Sequence, residues 1–104
     1  MPIKTVPFNV LDHLKTTEEQ IAYIEAALEI DDPSFIAAAL GDIAKARGVS
    51  EFAREAGLSR EAIYKAFKQG GNPTLETIDK ALKPLGMRLT LTARSAADRH
   101  RLSR

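Results

Sequence analysis

Cysteine is absent from the 104-residue chain. That absence excludes disulfides, thiolate zinc sites and cysteine nucleophiles together, and it suits a reducing cytoplasm. Histidine is scarce. His13 and His100 lie one near each end, and no nucleophile or metal-ligand set accompanies either in sequence. An enzyme, a metal site and a cofactor are therefore not expected. Long apolar runs are also missing. The longest, Phe35 to Leu40, is far short of the roughly 20 residues a membrane helix needs. The opening MPIKTVPFNV has no apolar signal core. The expectation is a soluble cytoplasmic protein with no membrane partner.

What is present fits one small domain. Apolar residues make up 44% of the chain, enough for a modest core. The charges are unevenly placed. Residues 1–47 carry four basic and eight acidic side chains, a net of −4, whereas residues 48–104 carry eleven and six, a net of +5. An acidic half joined to a basic half points to two faces with different partners; ordinary solvated surface is the plain alternative.

Pro2 and Pro7 argue against an early helix, so residues 1–15 read as an extended lead-in, with Val6–Val10 as a possible short edge strand. Thr16 or Thr17 caps the first helix, with Glu19 or Gln20 as capping-box partner. Ile21, Ile24 and Leu28 form its apolar stripe, and it ends near Glu29. Asp32 as N-cap and Pro33 at the first position start the next helix, which explains the aspartates there more simply than a cation site. Its stripe is Ile36, Ala39, Leu40, Ile43 and Ala44, and it stops at Gly48 after Arg47. Ser50 is expected to cap a short helix over 51–56, and Ser59 another from Arg60 to about Gln69. A loop, Gly70-Gly71-Asn72-Pro73, leads to Thr74, the cap of a helix through Leu85 with Leu75, Ile78, Leu82 and Leu85 inward. Pro84 ends or kinks its last turn. Met87, Leu89 and Leu91 alternate with polar residues and predict one half-buried strand. A polar, basic tail follows. The organisation expected is an acidic helical extension (1–30), a core domain with its strand (31–92) and a flexible tail (93–104).

The window Val49–Lys68 carries the function. Two helices crossing steeply through a tight turn need a small residue at the crossing, a residue tolerating positive φ in the turn, and a branched apolar residue facing back. Ala53, Gly57 and Ile63 occupy those places, and Leu58, Phe52 and Phe67 complete the local core. That pattern reads as a helix-turn-helix. Its outward residues are then Arg60, Glu61, Tyr64, Lys65 and Lys68. In the major groove Arg60 and Lys65 can donate to guanine, and Glu61 can accept from cytosine N4. Tyr64 and Lys68 suit sugar and phosphate. Ser50 with the following amides is a phosphate seat. The segment Gly70, Gly71, Asn72 and Thr74 is a second one, unless its glycines simply meet a loop's need for positive φ. For each charged side chain, solvent exposure alone is the competing reading.

The stretch ALGDIAKARGVSEFAREAGLSREAIYKAFKQGGNPTLETIDKALKPLGMRLTL resembles the addiction-module antidote proteins, a HigA-like branch of the Xre/Cro-type, lambda-repressor-like helix-turn-helix regulators. The preceding FNVLDHLKTTEEQIAYIEAALEIDDPSFIAAAL resembles them too, so the likeness covers about residues 5–92. It implies a mostly α fold of five or so helices, an N-terminal helical extension and a short C-terminal strand. It implies an antitoxin that represses its own operon on double-stranded operator DNA. The DNA contacts would fall on Arg60, Glu61, Tyr64 and Lys65. The partner would be a small toxin of the RelE/ParE/HigB class, a messenger ribonuclease. A homodimer would form through the strand, with Met87, Leu89 and Leu91 at the interface. The basic tail departs from the family pattern. Ribonucleases of that class are basic, so the acidic half, with Glu18, Glu25 and Glu29 sharing one helix face, fits as the toxin-binding side. Two other readings stay open: a stand-alone phage-like or metabolic repressor, and an adaptor that keeps the fold without binding DNA.

Overall fold

The computed structural model describes residues 9–30, 32–93 and 95. Five α-helices follow a short 3₁₀ turn at Val10–His13. They are α1 (Thr17–Glu29), α2 (Pro33–Arg47), α3 (Val49–Ala56), α4 (Arg60–Ala66) and α5 (Leu75–Leu82), and a second 3₁₀ turn, Lys83–Leu85, closes the series. The mostly helical class matches the expectation from sequence. The expected tail beyond Ala93 lies outside the described residues, Ser95 excepted, as does most of Val6–Val10. Val10 itself belongs to the 3₁₀ turn, not to a strand.

Local chemistry accounts for most helix boundaries. The Thr16 hydroxyl accepts from the Glu19 N–H at 3.1 Å, and the Glu19 carboxylate accepts from the Thr16 N–H at 3.1 Å and the Lys15 N–H at 2.8 Å. This is the reciprocal capping box. Asp32 caps α2 by accepting from the Ser34 N–H, with Pro33 in the first turn. Ser59 and Thr74 cap α4 and α5 by accepting from Ala62 and Thr77. Ser50 departs from expectation. Gly48, at φ +91°, ends α2 and starts α3 at once, with no side-chain cap. Ser50 therefore sits in the first turn of α3 and does not cap it.

One core joins the helices. Leu14, Ile24, Leu40, Ile43, Phe52, Ile63, Phe67, Leu82 and Leu85 are its larger members. Two apolar positions expected inside are outside. Leu28 is 52% exposed and Leu75 is 75% exposed. The inward face of α1 is Gln20, Ile24 and Ala27, because the small Ala27 lets α1 lie close to α2 and swings Leu28 to the flank. Leu75 is the first residue of α5, where a side chain covers little of the neighbouring helices.

Buried Gln20 is fully partnered. Its amide donates to the Leu14 carbonyl at 2.9 Å and its oxygen accepts from Arg47 Nε at 2.7 Å. Arg47 also donates to Thr17 at 3.0 Å and pairs with Glu55 at 3.3 Å. Its guanidinium thus ties the start of α1 and the end of α2 to α3. A five-donor fork suits that task, where a lysine would not.

The expected C-terminal strand is absent among the described residues. Residues 87–92 have no regular structure. A strand exists only where its backbone finds a ladder partner, and none is found among the described residues. The Met87 N–H bonds back to the Leu82 carbonyl at 3.1 Å and the Leu89 N–H to Asp79 at 3.4 Å.

Gly41 marks the close approach of α2 to the end of α4. A Cβ there would stand 2.1 Å from the Phe67 carbonyl oxygen. Gly41→Ala should gain about 1 kcal/mol of helix propensity yet lose more, because the obstacle is backbone. We expect net destabilisation of about 1–3 kcal/mol, the usual cost of overpacking, read as a lowered urea midpoint with unchanged slope.

The capping box gives a second expectation. Its two backbone hydrogen bonds hold the Glu19 carboxyl below its usual 4.5. A depressed folded value contributes stability that is present above 4.5 and lost as pH falls through the folded value. The stability difference between wild type and Glu19→Gln should therefore be present at pH 7 and shrink steadily on acidification below 4.5. Urea titrations across that range measure it.

Candidate nucleic-acid interface

The two short helices α3 and α4 pack against α2 through Phe52, Ala53, Ile63 and Phe67, all buried. Gly57 ends α3 at φ +73° in the left-handed region, which a residue without Cβ enters at little cost. Leu58 is half-buried in the turn beside the core. The small, flexible and branched positions expected at Ala53, Gly57 and Ile63 are thus used as the spacing implied.

With Ile63 inward, the opposite face of α4 is open. Arg60, Glu61, Tyr64 and Lys65 are all exposed. Arg60 and Tyr64, one turn apart, are in contact. The guanidinium donates to the Tyr64 hydroxyl at 3.3 Å and lies 5.8 Å from the ring centroid. That hydrogen bond, before any other cause, raises the Arg60 pKa. The pairing escaped the reading from sequence, although the i, i+4 spacing is its usual signature. It holds Arg60 beside the Tyr64 ring, partly ordered by the protein itself.

Lys68 is placed differently from expectation. Helix α4 stops at Ala66, and Phe67 leaves helical geometry at φ −102° and ψ 72°. Burial of Phe67 and its contact with Gly41 turn the chain there, so Lys68 stands past the helix. The Gly71 N–H bonds to the Lys68 carbonyl at 2.8 Å and closes the turn. The two glycines have separate tasks. Gly70 takes φ +84°, whereas a Cβ on Gly71 would stand 2.1 Å from the Ala66 carbonyl oxygen. Gly71 is thus spent on packing within the chain.

This turn brings Lys68 beside the start of α5. A groove of about 540 Å³ is lined by Lys65, Lys68, Gly70, Asn72, Thr74 and Thr77 among others. The helix N-terminus of α5, with its amides capped by Thr74, opens onto it, and such an end favours an anion. Arg60, Glu61 and Tyr64 line a separate recess. Ser59 and Thr74 are occupied as caps, and Ser50 is exposed in the first turn of α3.

Glu18, Glu25 and Glu29 are all exposed on α1. Of the expected dimer residues, Met87 packs partly against the chain's own core, Leu89 is 42% exposed and Leu91 is 99% exposed. Among the described residues no helix is long and apolar enough to cross a membrane.

The chain, a set of small capped helices around one core, exposes Arg60 and Lys65 on α4 and Glu18, Glu25 and Glu29 on α1. The sequence comparisons place it further. The chain belongs to the family described as "Probable addiction module antidote protein", whose profile matches residues 4–93. An uncharacterized protein of Haemophilus influenzae, strain Rd, is 46% identical over 80 residues, which is 77% of this chain and 82% of that protein. No solved structure matches. An antidote of an addiction module implies a toxin as partner.

Ser59 sets where the exposed α4 face begins. Ser59→Ala should cost about 0.5–2 kcal/mol, the range for losing an N-cap, whereas Ser59→Asp should hold stability near wild type. Thermal unfolding of the three proteins at one pH makes the comparison.

Proposed function

We propose that this chain is a HigA-like antitoxin that also represses transcription, binding operator DNA through a helix-turn-helix made of α3 and α4. The observation that carries the reading is the open face of α4, where Arg60, Glu61, Tyr64 and Lys65 are exposed together and continue into the groove holding Lys68, Asn72 and Thr74. That arrangement supports a division of labour. Arg60 and Lys65 reach guanine O6 and N7, and Glu61 accepts from cytosine N4. Tyr64 orients Arg60 and touches sugar. Lys68, Asn72, Thr74, Ser59 and Ser50 meet phosphate, which positions the helix without reading sequence.

One such unit touches little DNA, so the active form is a homodimer on two half-sites roughly 34 Å apart. Exposed Leu91 and Leu89 support a dimer contact near Met87. The toxin, of the RelE/HigB type, would meet the acidic side carrying Glu18, Glu25 and Glu29. Complementary charge speeds such an encounter, and cytoplasmic action follows from both partners.

Arg60→Ala should weaken operator binding by about 1–3 kcal/mol and relax preference at one base pair, while Lys68→Ala should weaken all sequences alike and flatten the salt dependence. Fluorescence anisotropy on the promoter region upstream of the gene, at several salt concentrations, measures both. Unchanged affinity in Arg60→Ala would rule out this register. Binding to DNA with no binding to the neighbouring gene's product would make the chain a stand-alone repressor, and binding to that product without DNA would make it an adaptor.

A further inference from the structure

Three large apolar side chains stand exposed where α1 gives way to α2: Leu28, Ile30 and Phe35, at 52%, 50% and 43%. Ile30 and Phe35 flank a groove of about 160 Å³ between the two helices, whose lining also includes Tyr23, Ala26, Ala38 and Ala39. Its surface is almost wholly apolar. Among the described residues, the polar group at its wall is the Tyr23 hydroxyl, which is ordered by donating to Asp42 at 2.6 Å. Burial and then this carboxylate push the Tyr23 pKa up to about 12, so the hydroxyl keeps its proton at any physiological pH. Small alanines on both helices leave the trough open among the described residues.

The stretch of chain that forms the groove carries charge of one sign. From Thr16 to Ala44 the chain has seven Asp and Glu residues and no Lys, Arg or His. Glu25, Glu29 and Asp32 are exposed, and Asp32 is the N-cap of the helix that carries Phe35.

We infer that the α1–α2 groove is the docking site for the toxin, which seats one apolar side chain between Ile30 and Phe35 while its basic surface meets the carboxylates exposed on α1 and at the start of α2, here called the rim. The inference rests on the antitoxin reading above and adds the anchor to it. The rim alone steers an encounter and is screened by salt. Affinity comes from a few desolvated apolar anchors, and the groove supplies the place for one. A second copy of this chain is the poorer occupant. A symmetric contact would set each acidic rim against its twin, with no basic side chain within the stretch to offset it. The groove lies on the helices preceding α3 and α4, so toxin and DNA would use separate faces.

The test uses the full chain and the purified product of the neighbouring gene, with the dissociation constant and association rate measured at two ionic strengths. In the double variant Ile30→Ser with Phe35→Ser, the dissociation constant should rise about ten-fold or more at both ionic strengths, with little change in association rate. In Glu25→Lys with Glu29→Lys, the association rate should fall at low salt and recover at high salt. If the serine variant loses its far-UV circular dichroism, hydrogen exchange on the wild-type complex replaces it, with protection expected over residues 26–39. A folded serine variant that binds as well as wild type, or exchange unchanged over 26–39, overturns the groove and leaves the antitoxin reading standing. No binding by wild type overturns both. Self-association of wild type that the serine variant abolishes assigns the groove to a second copy and overturns the inference.

Discussion

The close approach of α2 to the end of α4 governs the molecule. Gly41 sits in the middle of a buried helix face, and the Phe67 carbonyl occupies the space a side chain would need. This contact decides where α4 stops. Once Phe67 is drawn into the core, its backbone can no longer continue the helix, and the chain must turn through Lys68 to Gly71. Gly71 then packs against the Ala66 carbonyl, which seals the end of α4 from the other side. The open face of α4 is thus held at a fixed height above the core by two glycines, neither of which touches it.

A second constraint links that face to the acidic helices. Arg47 reaches Gln20 and Thr17 on α1 and Glu55 on α3. Gln20 is buried and would be left with an unmet oxygen if Arg47 were lost, at a cost of about 1–3 kcal/mol. The acidic α1 is therefore tied to α3 by a shared cation, while its apolar face, Ile24 and Ala27, packs in the core it shares with α2.

Much of this was legible beforehand. The capping residues Thr16, Asp32, Ser59 and Thr74 were readable because a cap acts over three residues of sequence. The trio Ala53, Gly57 and Ile63 was readable because a tight turn imposes fixed spacings. Ser50 was misread as a cap because Gly48 serves two helices at once, and a shared glycine leaves no room for a separate capping residue. Leu28 and Leu75 were misread as core. Helical period shows which residues share a face, but not how closely a neighbour packs nor where the helix end lies.

The alternation at Met87–Leu91 predicted a strand that the single chain does not form. Its local pattern is real, yet a ladder is a property of two segments, and no local signal can provide the second. The same division runs through the whole protein. Helix identity, turn position and the outward placing of Arg60, Glu61, Tyr64 and Lys65 were set by the sequence itself, because each depends on interactions within about four residues. The end of α4, the cradle joining Lys68 to Asn72 and Thr74, the Arg47 link and the apolar groove beside Phe35 were decided only by the tertiary structure. Each depends on atoms from helices distant in sequence, and nothing local records how closely those helices meet.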